Sequence, residues 1–243
     1  MLIFAHRGGQ GHAPANTLKA FDLAVEAGAS ALESDVRATL DGKLVFFHDG
    51  YVKLRQGLKM PVFLVSYSKL QQVDAGAGER VPLVIDVFKH FAGQEKLDGL
   101  TWSIDIPCIQ SAFSMEFGRF VKICDDFNIS KNTFACSTSC KILRHWRRKS
   151  PSMRYVWSVR TEQLKKLGVD GVISTCVKYQ ADVLNIRIQE ATSELVDAAR
   201  AKNLLVFIWD VQSPGWYEGA MQFKPDAIYT DYPSEVINGT WLA

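Results

Sequence analysis

The sequence predicts an α/β fold on a parallel sheet, a (β/α)8 TIM barrel, from three observations. Short apolar runs alternate with segments of helical period, the pattern of parallel α/β folds. The 243 residues match one such barrel, which takes about 250. Polar side chains gather at the ends of several apolar runs, where parallel sheets bind their ligands. A doubly wound open sheet is the structural rival. No GxGxxG follows the first run, so a dinucleotide fold lacks support.

Three short pieces open the chain: LIFAHRGG (2–9), ALESDVR (31–37) and KLVFFHDG (43–50). Each is apolar or β-favouring and bounded by Gly or Asp-Gly, so each reads as a strand at the start of the parallel sheet. Between the first two, NTLKAFDLAVEAGA (16–29) repeats Leu18, Phe21 and Val25 at helical spacing. Asn16 or Thr17 caps its start and Gly28 ends it. SYSKLQQV (66–73) reads as a short helix with Ser66 or Ser68 at its cap. VPLVIDVFKHFAG (81–93) is a helix with Val84, Val87, Phe88 and Phe91 on one face. LTWSIDIP (100–107) is a strand that Pro107 stops.

A helix over 114–129, a strand over 132–139, a basic helix over 138–149 and the strand RYVWSV (154–159) follow. TEQLKKLG (161–168) is a short helix, and GVDGVIST (168–175) and DVLNIRI (182–188) are strand-like. TSELVDAARAKN (192–203) is a helix capped by Thr192, and LLVFIWDV (204–211) and DAIYTDYP (226–233) end the set. That makes more than eight strand candidates, so GVDGVIST or DVLNIRI is not a barrel stave. No internal repeat or linker interrupts the chain, so a single domain over 1–243 is expected, with a short insertion at about 50–95.

Composition narrows the function classes. A hydrophobic content of 47% supports a large core, and 22% charged residues is ordinary for a soluble domain. A net charge of +2 gives little support to nucleic-acid binding. The basic KILRHWRRKS (141–150) reads as a solvated helix face. Cys108, Cys124, Cys136, Cys140 and Cys176 show no CxxC and no zinc spacing, so reduced thiols are expected. The chain enters LIFAHRGG without a leader pattern, and no apolar run approaches membrane-spanning length. A cytoplasmic protein without stable membrane insertion is the expectation.

Five polar residues in the first fifty draw attention: His6, Arg7, Glu33, Asp35 and His48. Glu33 and Asp35 are two apart in a strand, so they point the same way. Two carboxylates in so apolar a run need positive charge. Arg37 could pair with them, or a hard divalent cation, Mg²⁺ or Ca²⁺, could sit between them. Asp105, near the end of a later strand, offers a third carboxylate. His6 and His48 each end a strand and titrate near neutrality, which suits proton transfer. Arg7 presents a planar fork suited to a phosphodiester oxygen, or pairs with Glu33 or Asp35. His12, His90 and His145 read as surface residues.

The AHRGG, ESD and HDG motifs, at these separations, resemble the glycerophosphodiester phosphodiesterases. The resemblance continues through PANTLKAF (14–21), with alanine for the family's glutamate, through 66–88, and through PDAIYTDYP (225–233). It implies metal-dependent hydrolysis of glycerophosphodiesters to glycerol 3-phosphate and an alcohol. It implies general acid/base roles for His6 and His48, phosphate binding by Arg7, and a divalent cation on Glu33, Asp35 and Asp105. Asp105 stands where the family has Glu, and Pro107 where it has Lys. Trp209 matches an aromatic of the substrate pocket, with Asp210 replacing a Thr beside it. Thr230, Asp231 and Pro233 match the last strand end, with a structural turn implied. The implied partner is a small-molecule phosphodiester. A phospholipase D-like enzyme acting on lysolipids is one alternative, and a catalytically silent phosphodiester-binding barrel is another.

Overall fold

The computed structural model describes residues 1–54, 57–106 and 113–242. Eight parallel strands close on themselves. They are β1 (Leu2–Ala5), β2 (Ala31–Ala38), β6 (Thr101–Asp105), β7 (Thr133–Ser137), β8 (Arg154–Ser158), β9 (Val183–Arg187), β10 (Leu205–Trp209) and β11 (Ala227–Thr230). Closure comes from β1, which pairs with both β2 and β11. Helices cover the outside: α1 (Leu18–Glu26), α3 (Val84–Gly93), α4 (Phe113–Asp126), α5 (Cys140–Lys149), α6 (Thr161–Tyr179), α7 (Ser193–Arg200), α8 (Pro214–Met221) and α9 (Pro233–Ile237). The predicted (β/α)8 barrel is therefore the fold.

Alternation along the strands builds two cores. Phe4, Phe134, Val156, Val183, Phe207 and Tyr229 fill the barrel, with Phe4 and Tyr229 stacked at 4.8 Å. Between sheet and helices, Phe21, Phe46, Phe88, Phe91 and Trp102 pack edge to face, stacked or tilted. Aromatics of this size dominate core energetics. Local signals agree with the sequence: Thr17 and Thr192 accept cap bonds from Ala20 and Leu195, and Gly28 takes φ +95° after α1. The basic α5 buries Cys140, Leu143 and Trp146 and turns Lys141, Arg144 and Arg148 to solvent.

Two strand expectations are corrected. GVDGVIST is helical, the second part of α6 beyond a kink at Gly168 (φ +64°). Its Val172, Ile173 and Cys176 are buried at helical spacing, so tertiary packing overrides the β-branched composition. The run at 43–50 is not a stave. Its β3 (Leu44–Phe46) pairs antiparallel with the end of β2, Val36 opposite Phe46, as a flap above the barrel.

An insertion follows β3. A hairpin of β4 (Tyr51–Lys53) and β5 (Lys59–Pro61) and a short helix α2 (Tyr67–Leu70) enclose Val45, Val52, Val62, Val65, Leu70 and Val81. From α3 onward the chain is back in the barrel's helix layer. Pro107 and Cys108 lie outside the described residues. The other four cysteines are buried free thiols. Among the described residues no helix is long and apolar enough to cross a membrane.

The turn after β1 shows how tightly the site is tied to the barrel. Gly8 has φ +79°, and a Cβ there would sit 2.9 Å from Ala20 Cβ and Phe21 Cδ1. Gly8→Ala is expected to destabilise the protein by about 1–3 kcal/mol, from overpacking and a disfavoured backbone region. Urea denaturation checks this; an unchanged midpoint would show that the turn tolerates a side chain.

Candidate active site

The site stands on the carboxyl ends of the staves. Glu33 and Asp35 project from one face of β2, and parallel register sets Ser103 beside Glu33 and Asp105 beside Asp35. One cavity of about 270 Å³ is lined by all seven residues singled out in the sequence: His6, Arg7, Glu33, Asp35, His48, Asp105 and Trp209.

His6 and Arg7 leave β1 in a single tight turn. Arg7 adopts φ +51°, unusual for a residue with a side chain. The conformation aims its backbone N–H at Glu33 Oε2 (2.8 Å) and brings its Nε within 3.4 Å of Asp35 Oδ2. Asn16, itself at φ +60°, completes the clamp. Its Nδ2 donates to Asp35 Oδ2 (3.1 Å), its Oδ1 accepts from Ser34 Oγ (2.6 Å), and its N–H reaches Arg7 O (2.9 Å). Arg37, the suggested ion-pair partner of the carboxylates, instead donates to the His48 carbonyl.

Barrel closure sets the partner of His6. Register pairs Ala5 with Thr230, so the next residues, His6 and Asp231, emerge side by side. His6 Nδ1 donates to Asp231 Oδ1 at 2.6 Å, leaving Nε2 for the cavity, 3.9 Å from Glu33 Oε2. Gln10 Nε2 donates to both Asp231 oxygens at 3.0 Å, and Gln212 Oε1 accepts the Asp231 N–H at 2.8 Å. Burial pulls the His6 pKa down, but the Glu33 charge and the Asp231 hydrogen bond outweigh it and hold it above 6.5. Burial likewise raises Asp231, and its bonds to His6 and Gln10 carry it below the ordinary carboxylate range. Asp231 is thus more than the turn residue the sequence implied.

His48 stands across the mouth on the flap after β3. It is about half exposed, with Nδ1 bonded to Asp49 Oδ1 at 2.8 Å. Trp209 closes another side, with the Arg187 guanidinium 5.5 Å over its ring. The Asp210 carboxylate does not face the mouth as a free charge: Arg187 pairs with it at 2.8 Å and Gln189 donates to it at 3.1 Å. Asn185 and Ser158 line the cavity without having been foreseen. Asn185 Nδ2 donates to Ser158 Oγ, while its buried Oδ1 has no partner among the described residues, nor does Trp209 Nε1.

The donor chemistry suits a hard divalent cation: three carboxylates on two adjacent staves. Burial, reinforced by the Asp35 charge, pushes Glu33 up to about 8 and Asp105 up to about 7, against the opposing charges of His6 at Glu33 and of Arg37, Arg160 and Arg7 at Asp105. Even with Arg7, Arg37, Arg160 and His6 nearby, Glu33 and Asp105 stay raised, so the cluster has room for further positive charge. Among the described residues no three His, Cys, Asp or Glu groups already stand in position to hold an ion.

The chain as a whole is similar to known proteins. A family model described as the glycerophosphoryl diester phosphodiesterase family matches residues 6–235. A glycerophosphodiester phosphodiesterase of Caldanaerobacter subterraneus subsp. tengcongensis is 26% identical, over 98% of this chain and 96% of its own length. The human lysophospholipase D GDPD1 is 23% identical, over 96% of this chain and 83% of its own. A phosphodiesterase from Oleispira antarctica, solved with the product sn-glycerol-3-phosphate, superposes with a TM-score of 0.82 at 18% identity. It covers 99% of this chain and 96% of its own.

Asp231→Asn removes one of the interactions that raise His6. NMR titration of the metal-free variant is expected to show a lower His6 pKa than in the wild type. The linked stability has a definite sign. A histidine raised in the folded state stabilises fully below its unfolded value near 6.5 and loses that contribution as pH rises through the folded value. The substitution is therefore expected to destabilise more at mildly acidic than at alkaline pH. An unchanged His6 titration would contradict the pairing.

Proposed function

This chain belongs to the glycerophosphoryl diester phosphodiesterase family, and we propose that it hydrolyses glycerophosphodiesters to glycerol 3-phosphate and an alcohol. The observation that carries the reading is the convergence of two imidazoles, a guanidinium and three carboxylates on one cavity. Binding a phosphodiester needs positive charge, but cleaving one also needs a proton acceptor and a proton donor. A silent binding barrel has no use for the second histidine.

Each side chain takes a task its surroundings permit. Arg7, held by Asp35, presents its guanidinium to the non-bridging phosphate oxygens as charge builds there. His6 and His48 each have Nδ1 engaged by a carboxylate, which leaves Nε2 as the working nitrogen. One removes the proton from the attacking hydroxyl, and the other delivers a proton to the departing alkoxide. When that hydroxyl belongs to the glycerol itself, the attack is intramolecular, gains from proximity and gives a cyclic phosphate, which water then opens to glycerol 3-phosphate. Asn185 Oδ1 and Trp209 Nε1 offer an acceptor and a donor to the glycerol hydroxyls. Glu33, Asp35 and Asp105 would hold a divalent cation, Mg²⁺ or Ca²⁺. When bound, it supplies Lewis-acid stabilisation of the phosphate charge.

Purified protein incubated with glycerophosphocholine and Mg²⁺ or Ca²⁺ is expected to release glycerol 3-phosphate, and chelation is expected to stop it. His6→Ala and His48→Ala should each lower kcat by about 10²–10⁴-fold. Retention of full turnover in either variant would remove that histidine from the mechanism.

A further inference from the structure

The loop after β1 is fastened to the chain that leaves β11. Gln10 N–H donates to His6 O at 3.2 Å, and Gly11 N–H donates to Asp231 O at 3.0 Å. A Cβ at Gly11 would lie 2.5 Å from the Tyr232 ring, so the absence of a side chain lets the loop lie this close. His12 then pairs with Glu235 of α9 at 2.9 Å and meets Ser234 Oγ at 3.0 Å. Gln10 is thereby held between the tips of β1 and β11, with its side chain against those of Arg7, His6 and Asp231.

One amide group there serves two opposite charges. Its Nε2 donates to both Asp231 oxygens at 3.0 Å and passes 3.3 Å from His6 Nδ1, while its Oε1 accepts from Arg7 Nη1 at 3.4 Å. The Arg7 guanidinium and the Asp231 carboxylate are therefore separated by little more than the width of an amide. Opposite charges this close attract in a partly buried site, and a guanidinium fork matches the two oxygens of a carboxylate. Yet Arg7 pairs with Asp35 at 3.4 Å, and Asp231 gives its oxygens to His6 and Gln10. A glutamine can maintain that arrangement because it presents a donor and an acceptor on one plane without charge. A glutamate would offer Asp231 only acceptors, and an asparagine is one methylene shorter.

Resting on the phosphodiesterase reading, we propose that Gln10 is a positioning residue that keeps Arg7 and Asp231 from joining in an ion pair. Arg7 is then left to the phosphate oxygens and Asp231 to the His6 imidazole. Without the amide, one ion pair would withdraw both at once.

The test measures phosphate binding apart from turnover. Inorganic phosphate is titrated calorimetrically into the protein with Mg²⁺ present. Gln10→Met is expected to weaken Kd about tenfold or more, the worth of a charge-assisted hydrogen bond. Adding Asp231→Asn should restore binding to the level of Asp231→Asn alone, because the carboxylate that captures Arg7 is gone. Gln10→Glu should weaken binding as well, but Asp231→Asn should not repair it, since the carboxylate introduced at position 10 holds Arg7 itself. In turnover of glycerophosphocholine, the weaker phosphate grip of Gln10→Met should appear as a raised KM. Unaltered phosphate affinity in Gln10→Met, or a loss there that Asp231→Asn does not repair, overturns the proposal. So does unaltered affinity in the isosteric Gln10→Glu, which reads the same role should Gln10→Met not fold. The expected binding pattern in a protein that does not hydrolyse glycerophosphocholine overturns only the parent reading.

Discussion

Three carboxylates crowded at the mouth of the barrel are the constraint around which the site is arranged. Strand periodicity puts Glu33 and Asp35 on one face, and parallel register puts Asp105 against Asp35. Burial and mutual repulsion raise two of the three well above the ordinary carboxylate range. The surrounding structure answers that charge. Arg7 accepts a left-handed backbone to bring an N–H and a guanidinium to the cluster. Asn16 accepts another, and fixes Asp35 from below. Gly8 lets the turn lie against α1 closely enough for both. The left-handed backbone at these positions accompanies the contacts that Arg7 and Asn16 make with the cluster.

A second layer of organisation comes from barrel closure. β1 lies between β2 and β11, so residues from opposite ends of the sequence meet at its tip. His6 is gripped from one side by Asp231, which Gln10 and Gln212 hold in turn, and faces Glu33 on the other. His48 has a looser mounting on the flap, half exposed, with its ring bonded to its sequence neighbour Asp49 and its carbonyl held by Arg37. The site therefore combines one imidazole tied to the barrel with one carried at the start of the insertion.

Much of this was legible in the sequence, for identifiable reasons. The alternation of runs gave the barrel, and the period of two along ALESDV gave the carboxylate pair. What was missed depends on contacts the chain order hides. Asp231 and His6 are adjacent only because the barrel closes, although Thr230-Asp231 ends its strand just as Ala5-His6 does. Asn16 looked like a helix cap, but its side chain points back to Ser34 and Asp35, and Thr17 does the capping. GVDGVIST misled because β-branched residues dominate it, while Val172, Ile173 and Cys176 satisfy a helical face. KLVFF was read as a stave because its apolar content does not reveal strand direction. Asp210 replaces the family's Thr without leaving an unpaired charge, because Arg187 comes from the neighbouring strand, a contact that chain order hides.

The central claim is that the carboxylate cluster exists to hold a divalent cation. Calorimetric titration of Mg²⁺ or Ca²⁺ into the metal-free protein at neutral pH, in buffers of differing ionisation enthalpy, tests it most directly. The account predicts saturable binding at one site, with protons released, because burial raises the Glu33 and Asp105 carboxyls and a bound cation lowers them. Binding should be lost in Glu33→Gln and Asp105→Asn. No saturable heat with either ion, or undiminished binding in both variants, would contradict it.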